Sequence, residues 1–282
     1  MPDCAPMLDE RLVANLHVHA LSRSESHGDR EAHVLFQAST IAALLEGAYE
    51  GDLTFSELAE HGNLGLGTLN GLDGEMIALD GSFYRAGVDG RVSEVPGAAR
   101  TPFAVVVPFE AAVEVETAEL DAALADFPVC ALRLDARFEW VRARSVPLQQ
   151  PPYRPLAEVA AEQSEFEFRD VRGSLVGFQF PDYASGVEVV GRHMHFISDD
   201  RTRGGHVLGF SAREGLLRID PASDLHVELP PGVQLGEGHV DEAELARIEG
   251  GRYARTTALI ATTRKPKAAT LGANSANSRM AR

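Results

Sequence analysis

The sequence has little cysteine and no long apolar run, and each absence excludes a class of protein. Its two cysteines, Cys4 and Cys130, lie in dissimilar contexts, which argues against a disulfide framework and favours a reducing compartment. No run of about 18 apolar residues occurs, so no transmembrane helix is predicted. The N-terminus carries acidic residues early and lacks the apolar segment of a secretory signal. We therefore predict a cytoplasmic protein.

Basic residues are also scarce. The chain has 26 Lys and Arg against 42 Asp and Glu, which gives a formal net charge of −16. This balance argues against binding to nucleic acid and to anionic membrane surfaces. An anionic substrate would need positive charge supplied locally at its site, for example by a bound cation and an arginine.

What remains is the composition of an ordinary globular protein, with 44% hydrophobic residues in a chain of 282. Strand-like runs and short helices predict a sheet-rich α+β (mixed α/β) protein with two β-sheet-based subdomains and flanking helices. Residues 1–33 are interpreted as a loosely ordered lead-in, 34–150 as an N-terminal α/β subdomain and 151–260 as a C-terminal β-rich subdomain with a metal site. The proline-rich segment 146–156 is the linker candidate. The basic segment 261–282 is predicted to be a disordered tail.

Two local patterns are specific. Thr54 followed by Glu57 has the spacing of a helix capping box. Residues 129–146 alternate over a long stretch, which predicts a strand whose apolar face runs from Cys130 to Trp140. Arg144 shares the parity of that apolar face, unless the alternation ends before it.

The stretch VGRHMHFISDDRTRGGHVLGF, residues 190–210, holds three of the ten histidines. Strand alternation places His193 and His195 on one face. The segment SDDRTRGG predicts a hairpin loop that brings His206 opposite His195. Directly opposed Cβ atoms lie roughly 4.5–5.5 Å apart, which lets three imidazoles converge on one zinc ion at about 2.0–2.1 Å. Three neutral ligands leave a coordination position open, as in catalytic sites.

The plainer interpretation is two buried histidines and a third nearby by chance. The chain offers a comparison, because His17 and His19 also form an H-x-H pair but have no third histidine at hairpin distance. We interpret these two as ordinary surface or strand histidines. Cupins also use H-x-H, but Asp199 occupies the spacing of the cupin glutamate and the third histidine comes too soon. The cupin pattern therefore fits poorly.

Longer motifs carry a more specific resemblance. The segments STIAALLEGAYEGDLTFSELAEHGNLGLGTLNGLDGEMIALDGSFYRAG, RARSVPLQQPPYRPL and GRHMHFISDDRTRGGHVLGF occur in this order. From about Val34 to Glu249 the chain closely resembles the bacterial α-acetolactate decarboxylases. The resemblance implies a two-domain α/β zinc (Zn²⁺) enzyme, often a homodimer, that converts 2-acetolactate to (R)-acetoin and CO2.

The resemblance also implies site residues. The zinc ligands of the family match His193, His195 and His206. GTLNGLDGE matches a family motif that places a site threonine at Thr68 and a site glutamate at Glu75, and RSVP places a site arginine at Arg144. A second glutamate near the C-terminus matches Glu249 best, with Glu244 and Glu242 as alternatives.

Taken without the resemblance, these residues have plainer roles. Thr68 would be a turn hydroxyl, Glu75 a carboxylate at a strand edge, Arg144 a structural ion-pair partner and Glu249 part of a solvated helix face. In the decarboxylase interpretation, zinc acts as a Lewis acid on the hydroxy-ketone and stabilises an enediolate. Arg144 meets the substrate carboxylate or the developing oxyanion, and Thr68 hydrogen-bonds the substrate or a ligand. The proton comes from a glutamate or a zinc-linked water.

Two other functions use the same three histidines. One is a different metalloenzyme, either a hydrolase or a cupin-like oxygenase, which the identity of the metal would distinguish. The other is a non-enzymatic zinc-binding module, in which a fourth protein ligand would close the site.

Overall fold

A computed structural model describes residues 16–21, 32–116, 120–230 and 245 of the chain. Glu249, its alternatives Glu244 and Glu242, and the basic segment 261–282 lie outside the described residues. Within the described ranges, no helix is long and apolar enough to cross a membrane.

The first sheet has eight strands and includes both early and late parts of the chain. In spatial order, the first strand is parallel to the second and the second is parallel to the third. The other neighbouring strands are antiparallel. In spatial order the strands are β1 (His17–Leu21), β15 (Asp224–Glu228), β2 (Val34–Ala38), β9 (Ala104–Val107), β4 (Leu64–Thr68), β5 (Glu75–Leu79), β6 (Ser82–Ala86) and β7 (Val92–Glu94).

Short helices flank the first sheet and the second. They are α1 (Ile41–Leu45), α2 (Phe55–His61), α3 (Leu120–Ala123) and α4 (Leu156–Ala160), with 3-10 turns at Asn70–Leu72 and Asp182–Ala184. A two-stranded ribbon, β3 (Leu53–Thr54) with β8 (Arg100–Thr101), precedes α2. The capping box predicted at Thr54 and Glu57 is confirmed, since each side chain accepts a hydrogen bond from the other residue's backbone N–H.

The second sheet is antiparallel and curls into a closed ring. Its strands are β10 (Val113–Glu116), β14 (Gly204–Pro221), β11 (Cys130–Ser145), β12 (Ser164–Phe180) and β13 (Gly191–Ser198), and β13 also pairs with β14. Because β13 pairs with β14 as well as with β12, the strands β14, β11, β12 and β13 form a closed ring. It also makes β13 and β14 a hairpin, as the sequence predicts.

Register shifts in β11 decide which way its late residues point. The strand is irregular between Arg137 and Trp140 in its pairing with β14. Leu132, Leu134 and Phe138 pack in the core inside the ring, and after the shifts Val141 and Ala143 point into the same core. Arg144 is therefore on the other face, which corrects the parity assumed from the sequence.

A larger core joins the two sheets. It includes Leu66 and Ile77 of the first sheet and Val176, Phe178 and Ile197 of the second. A third cluster lies on the far side of the first sheet, under α2. The fold is thus layered, and side chains at the interface between the sheets are shielded from water. The predicted sheet-rich α+β class is confirmed.

The sheets do not divide the chain at residue 150, because β11 pairs with β12 across that boundary and β15 returns to the first sheet. Part of the predicted lead-in is also regular structure. His17–Leu21 form β1, which pairs in parallel with β15. The sequence alone gave no sign of this pairing, because its partner lies about two hundred residues away.

Candidate metal centre

His193, His195 and His206 form one compact cluster on the face of the ring that meets the first sheet. His195 and His206 are directly opposite in the β13–β14 hairpin, and strand alternation brings His193 to the same face. The ring centroids lie 5.0–5.3 Å apart. One nitrogen from each residue lies within 4.8 Å of the other two, so the three could hold a metal ion.

The ring of His195 is held in a defined orientation. Its Nδ1 lies 2.7 Å from the carbonyl oxygen of Met76 in β5. Because a carbonyl only accepts, Nδ1 must carry the proton, which leaves a lone pair on Nε2. This Nε2 is buried and makes no hydrogen bond with the part of the chain that the structure describes. A metal ion would satisfy it, and a backbone carbonyl behind a ligating histidine is the usual arrangement in metal sites.

Burial keeps His193 and His195 neutral. Desolvation, reinforced by the charge of Arg144, lowers the pKa of His193 to about 3. Desolvation also lowers the pKa of His195 well below its ordinary value, with His193 as a further cause. Neutral imidazoles are the form that binds metals. The donor set, its burial and its protonation state therefore all fit a transition-metal ion.

A buried ion pair lies beside the histidines. Arg144 Nη1 donates to Glu75 Oε1 at 3.0 Å, and both side chains are almost fully buried. The other carboxylate oxygen of Glu75 lies 3.6 Å from His195 Nε2. Glu75 thus stands between a permanent positive charge and the candidate metal position. Arg144 pairs with His206 in register across β11 and β14, which fixes its place beside the cluster.

The β4–β5 hairpin positions Glu75. Thr68 ends β4 directly opposite Glu75, which begins β5. The Thr68 hydroxyl donates to the Gly74 carbonyl oxygen at 2.8 Å, and the Thr68 carbonyl accepts from the Thr101 hydroxyl at 2.7 Å. The hydroxyl hydrogen of Thr68 is therefore used within the hairpin, immediately before Glu75.

These residues share one cavity whose other walls are apolar. Glu75, Arg144, His193, His195 and Thr68 line it. The apolar walls come from α1, α4 and the loops between strands, namely Ile41, Leu44, Leu72, Phe103, Val146 and Leu156. Charged groups that converge in an apolar cavity are typical of small-molecule sites.

The structure therefore brings six of the seven predicted site residues together, with Glu249 outside the described residues. Neither the contact of the Met76 carbonyl with His195 nor the apolar walls of the cavity is predicted by the sequence. A backbone contact leaves no mark in the sequence. The walls come from helices far apart in the chain, and no pattern in either helix relates it to the histidines.

Comparisons with known proteins identify the family of the chain. The family model described as Alpha-acetolactate decarboxylase matches residues 35–241. The chain is 45% identical over 235 residues to the alpha-acetolactate decarboxylase of Methylococcus capsulatus, covering 77% of this chain and 90% of that protein. It is 34% identical over 245 residues to the alpha-acetolactate decarboxylase of Bacillus subtilis strain 168, covering 82% and 94%.

Solved structures share the fold. The crystal structure of alpha-acetolactate decarboxylase from Bacillus subtilis strain 168 superposes with a TM-score of 0.71 at 33% identity, covering 77% of this chain and 99% of that one. A Staphylococcus aureus protein described as similar to alpha-acetolactate decarboxylase gives 0.69 at 33% identity, covering 76% and 97%. The family match spans well over half of the chain, and the relatives are matched along most of their length. This chain belongs to the alpha-acetolactate decarboxylase family.

Proposed function

We propose that this protein decarboxylates 2-acetolactate to (R)-acetoin and CO2 and depends on zinc. The observation that carries the proposal is the buried histidine cluster, which shares a cavity with the Arg144–Glu75 pair. A hydroxy-keto acid needs a cation for its oxygens and an arginine for its carboxylate. The cavity supplies candidates for both functions.

His193, His195 and His206 would hold the zinc ion. Three imidazoles suit zinc among the common biological metals, and three protein ligands leave room for a substrate. When bound, zinc would supply Lewis acidity toward the hydroxyl and ketone oxygens of the substrate. The hydrogen bond from His195 Nδ1 to the Met76 carbonyl would keep Nε2 directed at the ion.

Arg144 would bind the substrate carboxylate. Its guanidinium donates one N–H to Glu75, and the planar fork of a guanidinium matches the geometry of a carboxylate. Loss of CO2 leaves an electron pair that flows into the adjacent ketone and forms an enediolate. A fixed guanidinium in a water-poor site stabilises that oxyanion more strongly than it would in water.

Glu75 would take up a proton from water and deliver it to the carbon that loses CO2, which completes the reaction. Decarboxylation of the acetolactate anion consumes one proton, which must reach one face of the enediolate carbon to give a single enantiomer. The Oε2 atom of Glu75 points toward the histidine cluster, while Oε1 is held by Arg144. Thr68 would position Glu75 through its hydrogen bond to Gly74. The predicted role of Glu249 as a second site carboxylate stays a prediction.

The apolar walls would hold the methyl groups of acetolactate and exclude water. Ile41, Leu44 and Leu156 line the cavity opposite the charged residues. Excluding water strengthens the electrostatic interactions within the site.

The predicted homodimer and the cytoplasmic location stay predictions.

The decisive experiment measures acetoin formed from racemic acetolactate, with and without a strong chelator, and resolves the product on a chiral phase. We expect (R)-acetoin well above spontaneous decarboxylation, loss of activity with chelator and its recovery on adding Zn²⁺. Metal analysis of the purified protein identifies the ion. A folded, zinc-loaded sample that forms no acetoin above background would overturn the proposal.

A further inference from the structure

A second group of metal-ligating side chains lies far from the candidate metal centre, on the outer strands of the first sheet. β1 carries His17 and His19, and β15 carries Asp224 and His226. The parallel register places His17 opposite Asp224 and His19 opposite His226. Paired residues of neighbouring strands, and residues two apart in one strand, share a face. All four side chains therefore lie on one face of the sheet.

The carboxylate of Asp224 is already directed at the imidazoles. Its Oδ1 lies 3.3 Å from His17 Nδ1 and 3.5 Å from His19 Nε2. Its Oδ2 accepts a hydrogen bond from the Ser223 hydroxyl at 2.6 Å, which fixes the orientation of the carboxylate. The ring of His226 lies edge-on to that of His19, with the centroids 5.2 Å apart.

Two of these distances match those between ligands of a tetrahedral metal site, although the ligand atoms of the four residues do not all lie within 4.8 Å of one another. Ligands held about 2.0–2.1 Å from a tetrahedral ion are separated from each other by roughly 3.3–3.4 Å. Both separations from Asp224 Oδ1 are close to that value. His17 and His19 are 68% and 52% exposed, so their side chains can turn toward a common point with little obstruction.

We propose that His17, His19, Asp224 and His226 form a second, peripheral site for a transition-metal ion of the Zn²⁺ class. Imidazole ligands favour zinc, nickel and copper over magnesium or calcium, which prefer all-oxygen sites. The formal net charge of −16 raises the local concentration of any divalent cation near the surface. This site is independent of the proposed decarboxylase activity.

The ion would fasten β1 to the sheet. β1 is an outermost strand of the first sheet and pairs only with β15 within the part of the chain that the structure describes. An ion held by both strands would add links that do not depend on backbone hydrogen bonds. Ligand binding to the folded state alone stabilises that state by an amount that rises with the logarithm of the metal concentration above Kd.

Zinc titration of the full chain, followed by equilibrium dialysis and metal analysis, tests this site. We expect two Zn²⁺ per chain in the unaltered protein. The His17→Gln/His19→Gln variant is expected to weaken binding at the peripheral site by at least about tenfold, with acetoin formation unchanged, because two of four ligands are lost. The matched control, His61→Gln, changes a histidine on α2 and should retain both ions.

A reciprocal variant distinguishes zinc binding at one site from zinc binding at the other. His193→Gln/His206→Gln should lose the buried ion and keep the peripheral one, so failure of either proposal is visible without the other. Hydrogen exchange of residues 17–21 in the unaltered protein provides a second readout. It should slow when the second equivalent of zinc binds. A second equivalent that is absent, or that survives in His17→Gln/His19→Gln, would overturn the inference.

Discussion

The imidazole of His195 has two properties that metal binding requires. Its tautomer is fixed, and its lone pair is shielded from water. The Met76 carbonyl fixes the first, and burial at the interface between the sheets provides the second. We expect His195→Ala to abolish both metal binding at the centre and acetoin formation. Met194→Leu is the matched control, because Met194 is the neighbouring residue on the same strand and faces the ring core. Metal content and activity together are the measurement, and a fully active His195→Ala variant contradicts zinc catalysis.

Substitution of Glu75 distinguishes a loss of catalysis from a loss of metal binding. Glu75→Gln keeps an oxygen that can accept from Arg144 but cannot take up and release a proton, so zinc should be retained and kcat should fall by about 10²-fold or more. Glu94→Gln, on an exposed part of β7, is the control. Zinc lost together with activity in Glu75→Gln would instead make the carboxylate a ligand or its essential support.

We expect Cys130 to make the stability of the fold depend on pH. It is buried in the core of the ring, and burial raises the pKa of its thiol from 9.0 to about 12. A folded pKa above the unfolded one contributes stability that is complete below pH 9.0 and is lost progressively as the pH rises toward about 12. Denaturant unfolding across this window should show a shallower decline for Cys130→Ala than for the unaltered chain. Equal slopes would contradict the assignment.

At the scale of elements, the β13–β14 hairpin depends on a close backbone approach. Gly205 has φ +153°, and a Cβ there would lie 2.8 Å from the Arg144 carbonyl oxygen. Gly205→Ala should destabilise the fold by about 1–3 kcal/mol and weaken metal binding, because His206 follows directly. Gly81→Ala isolates the backbone strain, since Gly81 has φ +81° but no atom within 4 Å of the added Cβ. Unchanged zinc affinity in Gly205→Ala would show that the hairpin tolerates the displacement.

The same elements show what sequence can and cannot predict. The opposition of His195 and His206 follows from strand periodicity and a local turn, so the sequence predicts it. The face of Arg144 depends on register shifts in β11, which alternation does not reveal. The pairing of β1 with β15 joins residues about two hundred positions apart, so the place of His17 and His19 beside Asp224 and His226 does not follow from the sequence. Local order was thus predictable, and long-range register was not.

At the scale of the whole molecule, the metal centre lies where the two sheets meet. His195 of the ring hydrogen-bonds Met76 of the first sheet, and Arg144 of the ring pairs with Glu75. A bound ion would therefore stabilise the interface between the sheets as well as the hairpin. At a free zinc concentration of about 100 times Kd the stabilisation is about 2.7 kcal/mol.

Removing the metal should consequently lower the melting temperature. A chain of this size changes by roughly 2–4 °C per kcal/mol, so chelation should lower Tm by about 5–10 °C. The measurement is best made in the His17→Gln/His19→Gln background, where only the buried centre contributes. The same chelator should leave the Tm of a His195→Ala protein unchanged. If the protein with an unsubstituted centre also melts at the same temperature with and without chelator, the ion does not stabilise the folded state and adds nothing to the contacts between the sheets.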